Sequence, residues 1–71
     1  MKHAIKHVRG GTWTILHPTF GPIYRGVGNR NEALRIAAAL DNAAIDYAEP
    51  GAPQRIIAVV TAAYAAGDEE L

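Results

Sequence analysis

The chain contains no cysteine and no serine. The first absence removes disulfides and thiolate metal sites. The second removes a serine nucleophile and the Gly-x-Ser-x-Gly elbow that presents one. Large aromatics are scarce, with Trp13 and Phe20 the single tryptophan and phenylalanine among 71 residues. No apolar run approaches the roughly 18 residues needed to span a bilayer. The basic start, Lys2 to Arg9, is not followed by the apolar core of a secretory signal, so a cytoplasmic location is the expectation. Net charge is absent too, with seven Lys and Arg against seven Asp and Glu.

That balance conceals a division along the chain. Residues 1–35 hold Lys2, Lys6, Arg9, Arg25, Arg30 and Arg35 against Glu32, a net +5. Residues 36–71 hold Arg55 against Asp41, Asp46, Glu49, Asp68, Glu69 and Glu70, a net −5. Such asymmetry directs attention to charged partners. At this length one small domain, residues 1–71, is expected, with Asp68 to Leu71 as a frayed acidic tail.

The local pattern predicts a three-stranded antiparallel meander followed by two helices, an α+β fold in βββαα order. Gly10-Gly11 supplies the positive φ angles of a tight hairpin. Thr12 to Leu16 is β-branched and alternating, with Trp13 and Ile15 on one face and Thr12 and Thr14 on the other. Trp13 is expected as the large anchor buried beneath a helix. A turn over Pro18 to Pro22 leads to a third strand, Ile23 to Val27, with Ile23 and Val27 on one face and Tyr24 on the other.

Asn29 with Glu32 three residues later reads as a capping box, opening a helix from about Arg30 to Ala44. Its apolar side is Ala33, Ile36, Ala37, Leu40, Ala43 and Ala44, and a separate flank of Leu34, Ala38, Asp41 and Ile45 is free to meet another element. Pro50, Gly51 and Pro53 interrupt the chain. Residues 56–61 then read as helix, with stripe Ile56, Ile57, Val60, Ala63 and Tyr64 and a stop at Gly67, or alternatively as a buried strand. Leu34, Ile45 and Tyr64 exceed what one small core buries, so a homodimer is a further expectation.

Motifs for chemistry are thin. Gly26-Val27-Gly28 precedes a helix start but lacks the strand–helix–strand context of a nucleotide fold, so its reading is a sheet-to-helix turn. His3 and His7, four apart on a strand, stand roughly 13 Å apart along its axis, too far to share a metal. With His17 they are expected as solvated side chains, and no metal or cofactor is expected. Asp46 and Glu49 follow the first helix, whose dipole disfavours acids at that end, which makes them candidates for a partner's basic groups.

Between Lys2 and Leu40 the chain carries Gly11, Trp13, Pro18, Phe20, Gly21 and Pro22 in inverted order, and Glu32-Ala33-Leu34 opening an Ala-rich helix. By these residues it resembles HicB-like antitoxin domains. The acidic residue usual after the proline is Thr19, and no DNA-binding segment follows. The resemblance implies a protein that caps and silences a partner protein. In type, being very short, without cysteine and divided in charge, the chain also resembles phage-encoded inhibitors such as anti-CRISPR proteins.

The function expected is therefore non-enzymatic: inhibition of a larger protein through acidic positions Asp41, Asp46, Glu49, Asp68, Glu69 and Glu70. The alternative is an RNA- or DNA-binding module using Lys2, Lys6, Arg9, Arg25 and Arg30 with Trp13 and Tyr24.

Overall fold

The computed structural model describes residues 2–69, and the side chains of residues 2–67. The elements follow the expected order: β1 (Ala4–Val8), β2 (Thr12–His17), β3 (Gly21–Val27), α1 (Arg30–Ala43) and α2 (Ala52–Glu69). The strands form one antiparallel sheet in the order β1-β2-β3. Gly10 and Gly11 both carry positive φ, 104° and 91°, and the Gly11 N–H donates to the Val8 carbonyl at 3.1 Å. This tight turn sets the first register, with Ile5 opposite Ile15 and Lys6 opposite Thr14.

Both helices lie on the same side of the sheet. α1 packs directly on the strands, and α2 packs chiefly on α1. The core joins Ile15 and Val27 from the sheet, Ala33, Ile36, Ala37 and Leu40 from α1, and Ile56, Val60 and Ala63 from α2. Residues 56–61 are helical, which resolves the helix-or-strand ambiguity of that segment.

Asn29 caps α1 as expected, its side chain accepting from the Glu32 N–H at 2.8 Å. The reciprocal half of the capping box is replaced: Glu32 Oε1 accepts from Arg35 Nη1 at 3.0 Å. At the other end the helix stops at Ala43, and Ala44 turns left-handed at φ 51°. Ala43 and Ala44 are consequently exposed instead of completing the apolar side.

Four further expectations are corrected. Trp13 is only half-buried, and the largest fully buried side chains are Ile15, Ile36, Leu40 and Val27. Trp13 sits towards the hairpin end, where His7 across the strand stacks on it with ring centroids 4.6 Å apart. Tyr24 shares the inner face with Ile23 and Val27, because the β2–β3 register slips: Ile15 is opposite Tyr24, but Trp13 is opposite Val27. The extra residue is accommodated by a bulge, with Gly26 at φ 83°.

Ile57 points outward, 60% exposed, because the stripe of α2 that meets α1 is Ala52, Ile56, Val60, Ala63 and Gly67. Gly67 does not end α2. A Cβ there would collide with Arg35 Nη1 and approach Glu32 Oε1 to 2.8 Å, so this glycine permits close passage over the α1 ion pair. α2 continues through Asp68 and Glu69; Glu70 and Leu71, the remainder of the expected frayed tail, lie outside the described residues.

Candidate functional site

An antiparallel sheet can leave one face to water. Here both helices take the side of Ile5, Ile15 and Val27, so the opposite parity is left uncovered. A groove of about 460 Å³ runs across that face, lined by Lys6, Val8, Thr14, Leu16, Pro22 and Arg25. His7 and Arg9 complete its edge. Thr14 lies on its floor, only 7% exposed although no helix covers it. Lys6 stands opposite it on β1, and the bulge containing Arg25 stands opposite it on β3. Lys6 and Arg25 thus flank the threonine from the two neighbouring strands, both exposed.

No acidic side chain lines the groove. Among the described residues, Lys6, Arg9 and Arg25 make no ion pair. Three cations thus surround an apolar floor of Val8, Leu16 and Pro22, an arrangement suited to an acidic surface that also offers apolar atoms. Trp13 and Tyr24, the aromatics expected beside these cations, pack against the core instead. The groove therefore lacks the aromatic platform on which single-stranded bases stack. Of the remaining basic candidates, Lys2 and Arg30 are exposed and stand apart from the groove.

The most concentrated polar chemistry lies elsewhere, where the N-terminal segment, the end of β2 and the loop after α1 meet. Asp41 Oδ1 accepts from the backbone N–H of Lys2 at 3.2 Å and of His3 at 2.9 Å, and lies 2.5 Å from His3 Nδ1. His3 Nε2 lies 2.6 Å from the Tyr47 hydroxyl. Nδ1 donates to the carboxylate, and Nε2 is paired with the Tyr47 hydroxyl, which can serve as donor or acceptor to the ring. His17 packs edge-on to Tyr47 at 4.9 Å, and Phe20 leans on both rings. The Thr19 and Phe20 N–H groups donate to His17 Nδ1, at 3.0 and 3.2 Å, which fastens the β2–β3 turn.

This Asp–His–Tyr chain has the connectivity of a nucleophilic triad but not its electrostatics. Burial, reinforced by the Asp41 charge, pushes the Tyr47 phenol above its usual value, so the hydroxyl stays protonated. Burial alone would raise the Asp41 carboxyl; hydrogen bonds and charge from His3, with the Lys2 N–H, outweigh it and hold the carboxyl below its ordinary value. His3 itself is only 6% exposed. The arrangement suits a clamp on the N-terminal segment. No group of three or more metal-ligating side chains occurs among the described residues.

The expected solvation of His3 is thus corrected: it is buried because Asp41 and Tyr47 satisfy both ring nitrogens. The sequence carried one usable signal, since Asp41 lies on the α1 flank with Leu34, Ala38 and Ile45 that was free to meet another element. That element is the N-terminal segment.

Of the acidic positions, the three with described side chains each have a partner within the chain. Asp41 is engaged inside, Asp46 Oδ1 accepts from the Ala48 N–H at 3.0 Å, and Glu49 lies 3.8 Å from Arg55 in an exposed pair. Asp68 and Glu69 occupy the last turn of α2, and Glu70 lies outside the described residues. Among the described residues, no helix is long and apolar enough to cross a membrane. No protein-family model, curated protein or solved structure matches the chain.

Proposed function

We propose that this protein is a non-enzymatic binding module that docks the uncovered face of its sheet onto an acidic surface of a larger protein and blocks it, in the manner of an antitoxin or a phage-encoded inhibitor. The observation that carries this reading is the groove itself: Lys6, Arg9 and Arg25 stand over an apolar floor with no acidic lining. An ordinary solvated sheet face mixes both signs of charge. The reading moves the interface from the acidic half, where Asp41 is consumed internally, to the basic half. A partner is then recognised by charge complementarity around a small apolar contact, which favours fast association and strong salt dependence. The internal use of His3 and Asp41 and the protonated Tyr47 support binding over catalysis.

The test compares proteins retained from host cells by three baits: wild type, Lys6→Glu with Arg25→Glu, and Asp46→Lys with Glu49→Lys. Partners retained by the first and third baits but lost by the second support the reading. Retention by all three places the interface off the sheet. A gel shift with single-stranded or duplex oligonucleotides, weakening steeply between low and physiological salt, would replace the protein partner with nucleic acid.

A further inference from the structure

Thr14 is the odd member of the bare sheet face. It lines the groove on the side no helix covers, yet it is only 7% exposed. A hydroxyl buried to that degree ordinarily has a partner. Among the described residues, no hydrogen bond engages this one. Glu32 Oε2 is the one side-chain polar atom there that is both sealed and unpaired, so the Thr14 oxygen opens onto the groove.

Two cations bracket that hydroxyl. Lys6 is the direct partner of Thr14 on β1, and Arg25 lies opposite it in the β3 bulge. Neighbouring strands stand about 4.8 Å apart, so the backbones of Lys6 and Arg25 are about 10 Å apart across the threonine. The row offers an ammonium, a hydroxyl and a guanidinium, all able to donate, and no carboxylate lines the groove to occupy them. Such a row fits one oxyanion. β2 is the central strand, with a ladder on each side, so its N–H groups serve the sheet instead of forming the backbone cradle of a phosphate site. The planar fork of an arginine matches a carboxylate.

The apolar neighbours add a spacing. Val8 lies two residues beyond Lys6 on β1, and Leu16 two residues beyond Thr14 on the antiparallel β2, with Pro22 beside it. The two steps run in opposite directions. One apolar contact therefore lies about 7 Å from the row on either side.

We propose that Lys6, Thr14 and Arg25 form a carboxylate subsite that takes one Asp or Glu side chain of the partner protein. Aliphatic neighbours of that side chain seat on Val8 at one end and on Leu16 and Pro22 at the other. The inference rests on the docking face proposed above and names what that face recognises. Thr14 donates to one carboxylate oxygen while Arg25 and Lys6 close on the group from either side. An extended segment with apolar, acidic and apolar residues at alternate positions matches the spacing, because alternate side chains share a face about 7 Å apart. Selection then exceeds simple attraction: an amide in place of the acid leaves two cations unanswered.

The test titrates the isotope-labelled chain with the end-blocked pentapeptide Leu-Thr-Glu-Thr-Leu, its Gln counterpart and inorganic phosphate, following backbone amide resonances. The Glu peptide is expected to shift Lys6, Val8, Thr14, Leu16 and Arg25 together and saturably. The Gln peptide should bind at least roughly tenfold more weakly. Thr14→Val keeps the shape of the side chain and removes only the hydroxyl. It should leave the urea midpoint no lower than wild type and weaken the Glu peptide roughly three- to tenfold. Equal binding of the two peptides, no binding up to about 10 mM, or wild-type affinity in Thr14→Val overturns the proposal. Phosphate that binds the same residues as tightly as the Glu peptide overturns the carboxylate assignment. If the peptides fail while Lys6→Glu with Arg25→Glu still loses its host-cell partners, the docking face stands without this subsite. If both fail, both readings fall.

Discussion

His3 and Lys6 are three residues apart, yet they belong to regions of opposite character. Around His3, every polar group is turned inward: the imidazole is bonded through both nitrogens, and Asp41 Oδ1 gathers two backbone N–H groups besides. Around Lys6, the cations are turned outward, over apolar floor, with no carboxylate among them. The first region has titratable groups that bond one another within the fold. The second has no catalytic repertoire and three unanswered charges. Internal satisfaction produces stability and removes a group from recognition, whereas an unpaired charge contributes little to folding and is free to attract.

The sharpest way to break this contrast is Asp41→Ala. It strands the part-buried His3 N–H and a buried imidazole, so an equilibrium urea titration should show a loss of about 3 kcal/mol. A loss as small as that of the groove variants would erase the distinction. Gly67→Ala tests the other close contact: the ends of the Arg35 and Glu32 side chains must swing aside and give up their ion-pair geometry, while alanine gains about 1 kcal/mol of helix propensity, so the net change should stay within about 1 kcal/mol. Melting of the two variants side by side ranks the two internal contacts.

Acid sharpens the comparison further. The folded-state value of Asp41 is held below its ordinary 3.8, so its contribution is complete above that value and is lost as pH falls through the lower folded-state one. Urea midpoints followed from neutral pH to about pH 2 should fall in wild type across that window. Asp41→Asn should lack that part of the acid dependence, and Lys6→Glu with Arg25→Glu should retain it. Ala44→Gly acts in the opposite direction: relieving the left-handed alanine that leads into the Tyr47 loop should add about 0.5–1 kcal/mol, read from the same titration. The smallest effect is expected from the groove pair itself, within about 0.5 kcal/mol of wild type in stability while partner binding is lost.

The residues that revealed themselves in sequence did so through short-range chemistry. Gly10-Gly11 announced its hairpin, Asn29 its helix cap, and the alternation from Thr12 to Leu16 the parity that separates Thr14 from Ile15. The Ala33, Ile36, Ala37 and Leu40 spacing likewise marked the buried side of α1. Where prediction and structure part, a distant contact is responsible. Trp13 yielded the centre to Ile15 once His7 stacked on it. Tyr24 changed face because a bulge displaced the register. Gly67 looked like a terminator and serves as clearance between two helices.

Sequence alone therefore determined the order and kind of the elements and the separation of basic from acidic residues, because turns, caps and periodicity depend on neighbours a few positions away. Tertiary structure decided which sheet face stays bare, that Asp41 is sealed beneath the N-terminal segment, and that Ile57 is left outside. Those outcomes depend on how α1 and α2 stack on one side of three strands, a balance of burial among residues up to 44 positions apart that no local pattern encodes.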